Sequence, residues 1–185
     1  MPLLDTNPQA RLVIPGANRE FVLRRLGENF AGRLVELDDG LSESVAGLKI
    51  VGVAAAHSTI ERDAAGRCLF LGYVVQWEKV TVYHSGDTMW YDGIVEALRK
   101  FEVDIALLPI NGDRPERRVA GNLDGRQAAQ MARAIGARCV IPCHYDMFEF
   151  NTASPEEFAA ECHRLNQPFR ILQNGEGWNL VEVAR

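Results

Sequence analysis

The sequence predicts an α/β fold in which sheet faces are covered by helices, and three observations carry that prediction. Short apolar runs rich in Val, Ile and Leu recur through the first half of the chain, separated by turn residues. In the second half such runs alternate with segments of helical period, the pattern that lays helices over sheet faces. No repeat, low-complexity tract or linker rich in Pro, Gly or Ser divides the 185 residues, so residues 1–185 are read as a single domain. That length is enough to bury a sizeable core.

Taken in order, Arg11–Ile14 reads as a strand and Asn18–Leu26 as a helix stopped by Gly27. Gly32–Leu37 and Leu48–Val53 read as further strands. Arg67–Gln76 and Lys79–Tyr83, joined across Trp77-Glu78, read as a hairpin. A helix is expected from about Tyr91 to Phe101, followed by a buried strand over Asp104–Pro109. Asp124–Ile135 has clear helical period, with Gly136 placed to end it in a left-handed conformation. Val140-Ile141 lies in the strand that follows. Ser154-Pro155-Glu156-Glu157 is a helix start, with Ser as N-cap and Pro in the first turn, and that helix runs to about Leu165. Phe169–Leu172 and Trp178–Val183 are expected as two closing strands around Asn174-Gly175.

Composition removes several function classes. A 47% hydrophobic, 24% charged chain is not a disordered one. A net charge of −5 argues against partners chosen by phosphate neutralisation, so neither nucleic acid nor an anionic membrane face is expected. No apolar run is long enough to cross a bilayer. Met1-Pro2-Leu3-Leu4-Asp5 has no basic segment followed by an apolar one, and the expected location is cytoplasmic. Cys68, Cys139, Cys143 and Cys162 form no C-x-x-C pair. They are expected to be reduced structural thiols rather than a zinc site.

The residues that carry chemistry stand where strands end. Leu48–Val53 runs into Ala54-Ala55-Ala56-His57-Ser58, Lys79–Tyr83 into His84-Ser85-Gly86-Asp87-Thr88, and Val140-Ile141 into Pro142-Cys143-His144-Tyr145-Asp146. A sheet aims side chains at its strand ends into one crevice. Imidazole nitrogen with carboxylate oxygen is a ligand set for zinc, iron or manganese. Gly86 allows the tight turn that points Asp87 inward. Taken alone, a histidine at a strand end is more often a hydrogen-bonded structural residue than a ligand. His163, in mid-helix with no partner motif, is given no role.

The runs Tyr83-His84-Ser85-Gly86-Asp87-Thr88, Leu107-Leu108-Pro109-Ile110-Asn111-Gly112 and Ile141-Pro142-Cys143-His144-Tyr145-Asp146-Met147-Phe148, in this order and with His57 upstream, resemble the metallo-β-lactamase superfamily. Within it they are most similar to L-ascorbate-6-phosphate lactonase and its relatives, and the similarity runs from Asn7 to about Gly177. The resemblance implies an αββα sandwich of mixed sheets flanked by helices, of which this chain is the C-terminal part. It implies that His57 is a ligand of a first metal, Asp87 the carboxylate bridging two metals, and His144 a ligand of the second. The implied cofactor is a dinuclear Zn or Mn centre. The implied reaction is hydrolysis by a metal-bound hydroxide, with Asp87 and His84 as catalytic-site residues. His84 would orient Asp87 from three residues upstream.

The family's His-x-His-x-Asp-His motif lies before the segment similar to Asn7–Pro15, and no such motif is present among the four histidines here. The expectation is an N-terminally incomplete domain in which three ligands serve two metal positions, binding metal weakly. In the substrate loop Asn111-Gly112-Asp113-Arg114 places an acid before the Arg. Asn111, Arg114 and Tyr145 are the candidate substrate contacts, with Arg117 and Arg118 near enough to meet a phosphate. The expected partner is a small phosphorylated or lactone-type molecule. Whether the chain acts as an enzyme depends on the missing ligands being supplied. The competing function is an inactive remnant with a structural or binding role, homo-oligomeric where a second copy covers an exposed sheet edge. A metal-free flavodoxin-like binding module fits poorly, because Gly86 and Gly112 build no phosphate loop at a helix start.

Overall fold

The computed structural model describes residues 2–118, 121–146 and 149–179. A short helix α1 (Pro2–Thr6) precedes a small parallel sheet of β1 (Leu12–Pro15) and β2 (Leu34–Leu37), in register from Leu12 opposite Leu34 to Pro15 opposite Leu37. Between them α2 (Arg19–Leu26) ends at Gly27, whose φ of 103° lies in the region that favours glycine. The main sheet has six strands in chain order: β3 (Ser42–Val45), β4 (Leu48–Ala54), β5 (Leu71–Trp77), β6 (Val80–His84), β7 (Ile105–Pro109) and β8 (Cys139–Cys143). The first four strands pair antiparallel, and β6, β7 and β8 pair parallel.

Parallel pairs need crossovers, and the helices supply them. α3 (Ile94–Arg99) links β6 to β7, and α4 (Gly125–Ile135) links β7 to β8. α5 (Glu156–Leu165) follows β8 and packs on α4. Asp124 caps α4 in a reciprocal pair: its carboxylate accepts from the Gln127 N–H at 2.7 Å, and Gln127 Oε1 accepts from the Asp124 N–H at 3.1 Å. Gly136 ends the helix at φ 74° as the sequence predicts.

Both faces of the sheet's centre are covered. Val51, Val53, Val74, Ala106, Leu108 and Val140 pack toward α3, α4 and α5. Ile50, Ala54 and Leu71 point the other way, against Val35 and Leu37 of the small sheet. Two-sided burial explains why β4 reads as a nearly continuous apolar run instead of an alternating one. The α/β class with mixed sheets and flanking helices is therefore the observed architecture.

Several elements differ from the expectation. β5 begins at Leu71, because residues 62 and 68 form only an isolated bridge before it. The β5–β6 turn is Glu78-Lys79, with Trp77 opposite Val80 and Glu78 at φ 49°. α3 is shorter than Tyr91–Phe101 at both ends. β3 was not expected. Phe169–Leu172 touches β8 through a single bridge, Val140 with Phe169, and makes no ladder. Of the expected strand Trp178–Val183, residues 180–183 lie outside the described residues, and 178–179 are not in a strand. Among the described residues no helix is long and apolar enough to cross a membrane.

Candidate metal centre

Strand direction gathers the site. β4 runs antiparallel to β5, and β5 antiparallel to β6, so β4 points the same way as β6, β7 and β8. The C-terminal ends of these four strands therefore lie along one edge of the sheet. His57 follows β4, Asp87 follows β6, Asn111 follows β7 and His144 follows β8. Residues up to 87 apart in sequence meet there because the sheet's order equals its chain order.

At that edge Asp87 stands between the two imidazoles. Its Oδ2 is 3.9 Å from His57 Nε2 and 3.7 Å from His144 Nε2. Neither distance makes a hydrogen bond. Two donors held at about 2.0–2.2 Å from one tetrahedral ion stand roughly 3.3–3.6 Å apart, so both pairs are close to the spacing a shared ion requires. Among the described residues no single compact group of three His, Cys, Asp or Glu forms a metal cluster. The imidazoles flank the carboxylate from two sides instead of closing on one point. Imidazole with carboxylate is nonetheless a donor set that a divalent ion takes, and each imidazole approaches the same Asp87 oxygen. His144 Nδ1 is buried without a hydrogen-bond partner, which leaves the polar capacity of that ring unused within the protein.

The turn that presents Asp87 is built from its own neighbours. Gly86 adopts φ 63°, its N–H donates to His84 Nδ1 at 3.0 Å, and the Ser85 hydroxyl donates to the Gly86 carbonyl at 2.6 Å. His84 Nδ1 can accept that bond only in the neutral ring. Desolvation lowers the His84 pKa against the opposing charge of Asp87, which favours the neutral form. His84 is placed to shape the Asp87 turn, and no contact joins it to His57 or His144.

Thr88 is buried at 0% exposure and fastens the Asp87 turn to its neighbours. Its hydroxyl accepts from the Ala56 N–H at 2.9 Å and donates to the Met89 carbonyl at 3.0 Å, while its carbonyl accepts from the Leu123 N–H at 2.8 Å. In the sequence Thr88 stands inside the Tyr83–Thr88 run with nothing to mark this role beyond being a small hydroxyl residue directly after the carboxylate. Thr88→Val keeps the shape but strands the buried Ala56 N–H. We expect it to lower unfolding free energy by about 1–3 kcal/mol in chemical denaturation, with Thr88→Ser closer to wild type.

The candidate substrate residues are placed differently. Asn111 is 1% exposed and its amide is engaged inside the protein, with Nδ2 donating to Asn151 and Oδ1 accepting from Asn122. Arg114 is exposed on its loop. The Tyr145 hydroxyl donates to the Leu172 carbonyl at 2.6 Å. Arg117 is committed to the Asn111 and Thr152 carbonyls and to Asn151 Oδ1. Burial, aided by the charge of Asp87, pushes the Cys143 thiol up to about 11, so beside the site it stays protonated. All four cysteines are free. His163 packs edge-on against Phe169 at 5.1 Å, away from the site.

A cleft of about 470 Å³ opens beside His57 and Asp87. Its walls include Pro15, Leu69, Phe70 and Tyr73, and Phe70 meets the His57 ring edge-on at 5.8 Å. Among the described residues no Lys or Arg lines it.

A family model described as a beta-lactamase superfamily domain matches residues 10–145. A UPF0173 metal-dependent hydrolase from Rubrobacter xylanophilus is 33% identical over 140 residues, covering 73% of this chain and 55% of that relative. Another from Nitratidesulfovibrio vulgaris is 33% identical over 165 residues, covering 85% and 60%. The chain thus spans about 55–60% of the length of these curated relatives. Among solved structures, Igni18, a metallo hydrolase from Ignicoccus hospitalis, superimposes with a TM-score of 0.66 at 21% identity over 90% of this chain and 77% of that one. The metallo-beta-lactamase fold protein YhfI from Bacillus subtilis gives 0.68 at 15% identity over 94% and 67%. These structural likenesses show the fold. The relatives agree with the superfamily resemblance, and they lend no specific support to the ascorbate-6-phosphate lactonase branch.

Proposed function

Because this chain belongs to the beta-lactamase superfamily, we propose that it carries part of a metal-dependent hydrolase centre acting on a small, uncharged lactone or ester with an apolar portion. The observation that carries the reading is the approach of His57 Nε2 and His144 Nε2 to the same oxygen of Asp87. A bound divalent ion supplies two things to hydrolysis: a water acidified at neutral pH and polarisation of the bond to be broken. Asp87 would hold it together with His57 in one half-site and with His144 in the other, and imidazole with carboxylate suits Zn or Mn. With two protein donors per half-site, this set falls short of the three usual at a catalytic zinc, so the chain's own affinity is expected to be weak.

The remaining roles follow from this chain's contacts. His84 and Gly86 fix the Asp87 turn, and Thr88 fixes the His57 turn beside it. The cleft, walled largely by apolar side chains, would bind and orient the carbon skeleton of the substrate. Among the described residues no cation lines the cleft, which favours the lactone or ester over a phosphorylated substrate, and Arg117 already donates three hydrogen bonds to neutral acceptors. Four free thiols support a reducing, cytoplasmic setting.

The test is metal content by mass spectrometry, followed by hydrolysis of simple lactones and aryl esters. We expect little metal after dialysis, uptake on adding Zn or Mn, and hydrolysis that appears with the metal and disappears with a chelator. A chain that takes up neither ion favours the alternative, a catalytically inactive binding protein on the same fold.

A further inference from the structure

The connection between β7 and α4 contains none of the three metal-ligand candidates, yet it hydrogen-bonds to the segments that carry them. At one end the Leu123 N–H donates to the Thr88 carbonyl at 2.8 Å, one residue from Asp87. At the other the Ile110 N–H donates to the Cys143 carbonyl at 3.1 Å, one residue from His144. Asn122 donates to Asn111 at 3.0 Å and Asn111 to Asn151 at 2.9 Å, with Asn111 and Asn122 each 1% exposed.

Arg117 closes this frame. Nη1 donates to the Asn111 carbonyl at 2.6 Å and to Asn151 Oδ1 at 3.3 Å, and Nη2 donates to the Thr152 carbonyl at 2.6 Å. Thr152 then reaches the ligand loop, its hydroxyl accepting from the Asp146 N–H at 2.8 Å. That loop is where help is needed. His144 has φ 62° and Asp146 φ 52°, positive values that His and Asp adopt more readily than most residues other than glycine but that local hydrogen bonds must still hold. The planar guanidinium reaches three acceptors on two loops from two separate nitrogens, a spread that the point-like ammonium of a lysine lacks.

We propose that Arg117 is a positioning residue for the metal centre. It locks residues 151–152, so that Thr152 holds the Asp146 N–H and His144 keeps the turn that brings its imidazole to Asp87. The consequence for affinity rests on the metal-centre reading above, whereas the clamp belongs to the metal-free chain. It was not visible in the sequence, where Arg117 suggested a phosphate contact.

The experiment has two arms, run on wild type, Arg117→Ala, Thr152→Val and Thr152→Ser. Amide hydrogen exchange on the metal-free chain, read by NMR, should show the Asp146 N–H exchanging at least about tenfold faster in Arg117→Ala and Thr152→Val, with β7 amides unchanged and Thr152→Ser near wild type. Cobalt(II) titration followed by visible absorption should show affinity falling about 10–100-fold in the same two variants, with an altered band shape. Unchanged Asp146 exchange in Arg117→Ala overturns the clamp, as does equal acceleration of the β7 amides, which marks general destabilisation. Cobalt bound by no variant, wild type included, overturns the metal-centre reading, and the exchange arm still decides the clamp.

Discussion

Asp87→Ala is expected to empty both halves of the centre at once, while His57→Ala and His144→Ala each empty one. The asymmetry follows from geometry: one carboxylate oxygen lies 3.9 Å from His57 Nε2 and 3.7 Å from His144 Nε2. In the proposed centre each imidazole serves a single half-site, whereas Asp87 serves both. Removing a direct ligand costs more than the roughly 10–100-fold lost when an outer partner is removed. In a half-site with two protein donors, no second strong donor compensates. The fold should be little affected, because the Asp87 side chain is 45% exposed and surface changes of this kind usually stay within about ±0.5 kcal/mol. Cobalt(II) titration with a fixed-temperature unfolding curve checks both halves of the statement. Equal losses in all three variants would argue for a single ion held jointly. A loss in Asp87→Ala no greater than in His57→Ala would sink the bridging role.

What the sequence disclosed about this site, and what it did not, divides along a physical line. The strand-end positions of His57, Asp87 and His144 were legible because strand ends are local features, an apolar run, a small or turn-forming residue, then a polar group, whereas their ligand roles came only from the family resemblance. Their meeting needed only that β4, β6 and β8 share a direction, which an α/β alternation makes natural. β3 was illegible because Ser42, Glu43 and Ser44 are an exposed, polar edge, and edge strands suppress the apolar signal by which strands are read. Phe169–Leu172 misled for the opposite reason. Phe169 and Ile171 pack with the helix-side core and Leu172 with the other face near β8, so apolarity there reports burial without a ladder. Pro168 contributes only its carbonyl to the Val140 N–H, and pairing with β8 is limited to this short stretch. Thr88, Asn122 and Arg117 escaped because their roles are hydrogen bonds to main-chain or amide groups distant in sequence, which no periodicity encodes.

Gly72→Ala is expected to be strongly damaging, although Gly72 carries no chemistry. A Cβ at this position in β5 would stand 2.6 Å from the Ser85 carbonyl oxygen, 2.8 Å from the His84 carbonyl oxygen and 2.8 Å from the Ser85 carbonyl carbon. All three are backbone atoms of the segment leading into Asp87, so no flexible side chain can yield. Either β5 parts from β6 or the 84–87 turn moves outward. Overpacking of this kind typically costs about 1–3 kcal/mol, and rigid backbone on the receiving side places Gly72→Ala at the upper end or above it. The second consequence is functional: the same displacement carries Asp87 away from His57 and His144, so metal affinity falls along with stability. Gly32→Ala is the control. Its added carbon meets nothing within 4 Å, and it should be neutral within about 0.5 kcal/mol. Thermal unfolding of the two variants beside wild type, with cobalt(II) uptake on whatever remains folded, separates the effects. A Gly72→Ala protein with wild-type stability would mean that β5 and the Asp87 turn are not in the close contact from which the geometry of the whole centre has been argued.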